Sequence, residues 1–115
     1  MQKNSGWMRV ITFAVAVLAA FLLLGVSARG DNASAEATYK AKCAMCHGAD
    51  GKGETATGKM MKVKDLAADE VQKASDTDLS DAISKGKGKM PPFKTLTAEQ
   101  VKDLVGYVRA FGKKK

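Results

Sequence analysis

Cys43-Ala44-Met45-Cys46-His47 sets two thiols three positions apart, with an imidazole directly after the second. This is the C-x-x-C-H spacing of covalent haem attachment. Each thiol can add across one vinyl group of a haem, its hydrogen passing to the vinyl carbon, to leave a thioether. The two spacer residues give the first sulfur the slack to reach the same porphyrin edge as the second. His47 is then held against the iron, where its imidazole serves as an axial ligand. Rival readings fail on ligand count or on context. A structural zinc site takes four Cys or His ligands, and the whole chain has 2 Cys and 1 His. A thioredoxin-like C-x-x-C follows a strand of a βαβ pattern, and nothing before Cys43 alternates as a strand does. A plain disulfide leaves His47 without a role.

The 115 residues fit one domain behind a targeting segment. Residues 1–9 carry Lys3 and Arg9, and from Val10 to Val26 the only polar side chain is Thr12. Val26-Ser27-Ala28 and Ala33-Ser34-Ala35 follow. A basic start, an apolar run and small residues at the end make residues 1–35 a secretory signal peptide, cleaved after Ala28 or after Ala35. If it is retained instead, Val10 to Ala28 is long enough to anchor the chain in a bilayer. No Cys precedes Cys43, so a lipid-modified N-terminal Cys is excluded. Either way the domain at 36–115 is expected in the periplasm or another extracytoplasmic compartment, where an unmodified Cys pair would oxidise. The formal net charge is +7, of which Lys3, Arg9, Arg29 and Asp31 contribute +2, leaving +5 for the domain. The domain is small for a self-sufficient core, and a covalently held haem supplies the missing apolar mass.

Ala37 to His47 lacks Gly and Pro and reads as the first helix of the domain. Gly48 to Gly58 reads as a glycine-rich loop and Met60 to Leu66 as irregular chain, with Val63 and Leu66 as candidate pocket residues. Within it, Gly53 to Lys59 mimics a phosphate-binding G-x-x-x-x-G-K, but Met60 stands where Ser or Thr must follow, and no strand precedes it. Ala67 to Lys73 is expected to make a short helical turn. A second clear helix starts at Ser75 or Thr77 as N-cap, carries Leu79, Ala82 and Ile83 on one stripe, and stops at Gly86. Lys85 to Phe93 is a loop, with Pro91 and Pro92 after Met90. Thr97-Ala98-Glu99-Gln100 is a capping box, with Leu96 and Val101 as its staple. It opens a last helix with Val101, Leu104, Val105, Val108 and Phe111 on helical spacing, ended by Gly112 before three lysines. No strand pattern or repeat is present, so the fold is all-α.

In this order of elements the chain resembles the class I c-type cytochromes, the small single-haem electron carriers. The resemblance covers about Ala37 to Phe111, through C-x-x-C-H-G, a glycine loop, a helix, M-P and an aromatic-bearing final helix. It implies a small cytochrome c fold of three to four helices around one covalently bound haem c. It also implies that Tyr39 meets the final helix, where Tyr107 matches the family's aromatic. Many relatives hold a haem propionate with Trp; here the only Trp is Trp7, in the signal segment.

The sixth iron ligand remains. His47 is the only histidine, so a second imidazole from this chain is excluded. A thioether is the usual partner in cytochromes c and raises the reduction potential. Of the six Met, Met1 and Met8 lie in the signal and Met45 sits inside the attachment loop beside the proximal ligand, leaving Met60, Met61 and Met90. Met90 is chosen because it lies between the two striped helices, far enough past His47 to cross the haem edge. Pro91 and Pro92 stiffen its loop, and G-K-M-P-P-F resembles the family's distal motif. Met60, Met61 and an open sixth position are the alternatives.

The expected cofactor set is Cys43 and Cys46 as thioether anchors, His47 as proximal iron ligand and Met90 as distal iron ligand. The expected protein is a monomeric electron carrier, not an enzyme, since no substrate reaches a doubly capped iron. Lys59, Lys62, Lys64, Lys85, Lys87, Lys89 and Lys94 flank the pocket segments. They either steer redox partners with acidic docking faces or simply keep a small domain soluble. Nucleic acid is not an expected partner, because no aromatic-interleaved basic patch occurs. A gas sensor with an open site and a membrane-tethered relay are the competing classes.

Overall fold

In a computed structural model of the chain, the described residues are 30–114 together with Gly6 and Val10. By its contacts the chain divides into two compact units, 1–30 and 31–115. Of the first, Gly6 and Val10 are helical and exposed; the remainder of the expected signal segment up to Arg29 lies outside the described residues. The two expected cleavage positions, 28 and 35, bracket the start of the second unit.

Residues 30–114 form six helices: α1 Gly30–Lys42, α2 Ala44–His47, α3 Ala56–Met61, α4 Asp69–Gln72, α5 Asp76–Lys85 and α6 Ala98–Gly112. Among the described residues no strand forms, only one isolated bridge between Lys87 and Met90. The all-α expectation holds. The count exceeds three to four because α2 and α4 are single turns and because two stretches differ from the sequence reading.

The first difference is the helix expected at Ala37–His47. It begins earlier, at Gly30, and is interrupted at Cys43, whose φ of −114° departs from helical values. The i→i+4 bonding runs on through the break: Cys43 N–H donates to Tyr39 O at 2.8 Å and His47 N–H to Cys43 O at 2.9 Å. The second difference is α3, which forms inside the expected loop and irregular segment. Thr55 caps it, its hydroxyl oxygen accepting from Gly58 N–H at 2.9 Å. Gly58 is a packing residue here. A Cβ at that position would stand 2.3 Å from the carbonyl oxygens of both Cys46 and Gly53, so only glycine lets α3 lie this close to the attachment loop.

The other elements follow the sequence. Ser75 is the N-cap of α5, accepting from Asp78 N–H at 3.0 Å, and Asp76 and Asp78 stand at the positive end of its dipole. Both halves of the α6 capping box are present, Gln100 N–H to Thr97 Oγ1 at 3.1 Å and Thr97 N–H to Gln100 Oε1 at 2.9 Å. That helix runs through Gly112, one residue further than expected.

Helix α6 carries the core. Val101, Leu104, Val105, Val108 and Phe111 are all buried on it, joined by Tyr39, Leu66 and Ile83 from the rest of the domain. Among the described residues no charged side chain is buried, and the buried core is aliphatic and aromatic. Tyr39 meets the final helix as expected, with ring centroids 4.9 Å from Tyr107 and 5.5 Å from Phe111.

Candidate functional site

A cleft of about 80 Å³ opens beside this core, and His47 and Met90 both line it, with Cys43. Its walls are Tyr39 of α1, Leu66, the Leu79-Ala82-Ile83 stripe of α5, and Leu104 and Val108 of α6. The apolar stripes read from the sequence therefore face one space. Three of the four expected site residues meet there. The fourth, Cys46, is half-buried on α2 next to His47 and is not part of that lining. Met60 is 72% exposed and Met45 74% exposed; neither these nor half-buried Met61 lines the cleft. Val63 does not line it either and packs instead near Gly53, where a Cβ would meet Val63 O at 2.7 Å.

The attachment loop is tied down at every carbonyl. Cys43 O accepts from His47 N–H, Ala44 O from Gly48 N–H at 2.8 Å and His47 O from Gly53 N–H at 2.7 Å. The Thr55 hydroxyl shares its one proton between Met45 O at 2.8 Å and Cys46 O at 3.1 Å. The Tyr39 hydroxyl donates to Gly48 O at 2.6 Å in a buried bond, and burial pushes its pKa far up. The backbone of the motif is thus fixed while its functional atoms stay uncommitted. Neither Cys43 nor Cys46 is in a disulfide. His47 Nδ1 is buried with no hydrogen-bond partner among the described residues. Burial lowers the His47 pKa, which favours the neutral imidazole a metal needs, and pushes the Cys43 thiol up.

Among the described residues no group of three or more His, Cys, Asp or Glu side chains converges to hold a bare ion. The donor set instead places one thiol, one imidazole and one thioether on an apolar slot, with the Cys46 thiol close by on α2, which fits a flat apolar macrocycle that brings its own metal.

Comparison with known proteins agrees. Residues 30–108 match the family model described as cytochrome c oxidase, cbb3-type, subunit III. The chain is also 34% identical over 84 residues to the cytochrome c6 of Cyanidioschyzon merolae (strain NIES-3377 / 10D), covering 73% of this chain and 78% of that one. The chain belongs to the class I c-type cytochromes. Among solved structures, this c-type cytochrome is similar to the KustC0563 c-type cytochrome, with a TM-score of 0.62 and 39% identity over 67% of this chain and 95% of that one. Its cofactor is accordingly one covalently bound haem c.

Several residues that shape the cytochrome's site carry no sequence signal. Thr55 looked like a loop residue, yet its hydroxyl joins α3 to the attachment loop. Gln72 Nε2 donates to Leu66 O at 2.7 Å and to Val108 O at 3.1 Å, tying two walls of the cleft together. Arg109 binds the chain between α4 and α5. Polar side chains that satisfy backbone carbonyls follow no period, so only the folded chain reveals them.

Proposed function

We propose that this cytochrome carries one electron at a time between redox partners outside the cytoplasm, on a haem c ligated by His47 and Met90. The observation that supports this most is the presence of His47 and Met90 in one apolar cleft that excludes Met45, Met60 and Met61. A haem bound there would supply the one-electron ferrous–ferric couple. Cys43 and Cys46 would hold the group to the chain, and His47 and Met90 would ligate its iron. A soft thioether favours the electron-rich ferrous state, so Met90 raises the potential. The apolar walls would keep water from the metal, and the tied-down attachment loop would limit reorganisation on oxidation. With His47 and Met90 both on the metal, no coordination site would be left for a substrate, which suits a carrier rather than an enzyme.

Met90→Ala tests the reading. It should abolish the weak far-red absorption of the ferric form that reports sulfur ligation, and should lower the potential. If Met60→Ala or Met61→Ala abolishes that absorption instead, the distal ligand is misassigned.

All seven lysines flanking the pocket segments are exposed. Lys64 and Lys85 are paired with Glu70 and Asp81; the other five offer a basic field to an acidic partner. Association with such a partner should slow by about tenfold or more between low and high salt. Stopped-flow rates that do not respond to ionic strength would leave the lysines with solubility alone. Residues 1–35 are proposed to export the chain. Among the described residues no helix is long and apolar enough to cross a membrane. The intact mass of the mature protein separates a cleaved carrier from a tethered relay.

A further inference from the structure

The distal loop is closed on itself. Lys87 and Met90 exchange two backbone bonds, Lys87 N–H to Met90 O at 3.1 Å and Met90 N–H to Lys87 O at 3.0 Å. Phe93 N–H then donates to Ile83 O at 2.9 Å, fastening the far end of the loop to α5, where Ile83 lines the same cleft as Met90. Between these ties stand Pro91 and Pro92, which have no N–H and a fixed φ.

The near end rests on Gly86. It follows α5 at φ 79°, ψ 162°, a conformation open essentially to glycine alone. A Cβ there would lie 2.7 Å from Met90 O, 3.0 Å from Pro92 N and 3.2 Å from the Pro91 carbonyl carbon. All three are backbone atoms of a stiff segment, so none can swing away as a side-chain tip would. Gly88 offers a contrast two residues on. Its φ is also positive, at 57°, but a Cβ there meets nothing within 4 Å.

We propose that Gly86 is a positioning residue for the sixth ligand. Its bare Cα is the seat on which the Met90–Pro91 peptide rests, and the Lys87 N–H holds the Met90 carbonyl on that seat. The inference rests on Met90 being the distal ligand. It adds that the ligand's place in the cleft is set by the end of α5 rather than by the iron. A side chain at Gly86 lifts the peptide off the seat and draws the thioether out of the cleft.

The test compares Gly86→Ala, Gly88→Ala and Met90→Ala in the haem-loaded protein, well below the melting temperature. The readouts are the ferric far-red absorption and the rate of carbon monoxide binding to the ferrous form. Gly86→Ala should retain haem and helical content, lose most of the absorption, and bind carbon monoxide about tenfold faster or more, the weight of a strained residue on a local equilibrium. Gly88→Ala should keep the absorption. A full absorption band in Gly86→Ala overturns the proposal. Equal losses in the two glycine variants also overturn it, because left-handed strain alone would then suffice. An absorption that survives Met90→Ala removes the ligand assignment itself, a different failure. If Gly86→Ala yields no folded holoprotein, Lys87→Pro removes the donor to Met90 O while leaving glycine at the seat. It should weaken the absorption and speed carbon monoxide binding, and an unchanged spectrum overturns the proposal.

Discussion

Haem-free protein, with Cys43 and Cys46 both replaced by alanine, is expected to keep a helical far-ultraviolet signal but to lose cooperative melting. The reason lies in where the core ends. Of its eight buried residues, Tyr39, Leu66, Ile83, Leu104 and Val108 also wall the cleft. Most of the core therefore borders the cleft proposed to hold the cofactor. A domain of this size supplies only about 3–5 kcal/mol of net stability from its own core. Burying a few hundred Å² of apolar macrocycle is worth on the order of 10 kcal/mol, so the larger share of the driving force leaves with the haem. The clustered rings of Tyr39, Tyr107 and Phe111 provide a reporter. Their near-ultraviolet dichroism should collapse, and a dye for exposed apolar surface should bind, as in a molten globule. A sharp two-state melt of haem-free protein with native-like aromatic dichroism would show that the polypeptide core suffices.

The same dependence explains what was legible in the sequence. C-x-x-C-H states covalent chemistry, and chemistry leaves residue types at fixed spacings. The α5 and α6 stripes obey helical periodicity because their faces pack against the core and the cleft. Thr97 and Gln100 satisfy orphan amides in a pattern local to four residues. Helix α3 was not legible, because its decisive interactions are distant. Gly58 had to be glycine for the sake of Cys46 O, twelve positions earlier, and at sequence level it looked like a chain breaker. Elimination among six methionines left Met60, Met61 and Met90, and the Pro-stiffened loop between the striped helices pointed to Met90. Gly86, which seats it, shows no such trace, since one glycine at a helix end is also an ordinary stop signal.

The second large effect concerns a residue that no motif flags. Arg109→Ala is expected to destabilise the haem-loaded protein by about 2–4 kcal/mol. The guanidinium Nη1 donates to Gln72 O at 2.6 Å, and Nη2 donates to Ala74 O at 2.6 Å and to Asp76 Oδ1 at 2.7 Å. It thereby takes up carbonyls left over at the end of α4 and reaches the first residue of α5. The ion pair is the lesser part. Asp76 is 79% exposed, and such pairs contribute about 0–1 kcal/mol. The Arg109 side chain is only 26% exposed, so the carbonyls it serves are shielded and regain water poorly once it is gone. Asp76→Ala should therefore cost under about 1 kcal/mol. Arg109→Lys should recover less than half of the loss, because an ammonium cannot reproduce the planar fork. Denaturant midpoints at constant slope, compared across the three variants, decide the matter. If Arg109→Ala costs no more than Asp76→Ala, the carbonyl contacts carry no stability and the junction of α4 and α5 holds by packing alone. If it costs several-fold more, the wall of the cleft is secured from outside. Arg109 fixes the end of α4, and Gln72 at that end holds Leu66 against Val108 beside the cleft.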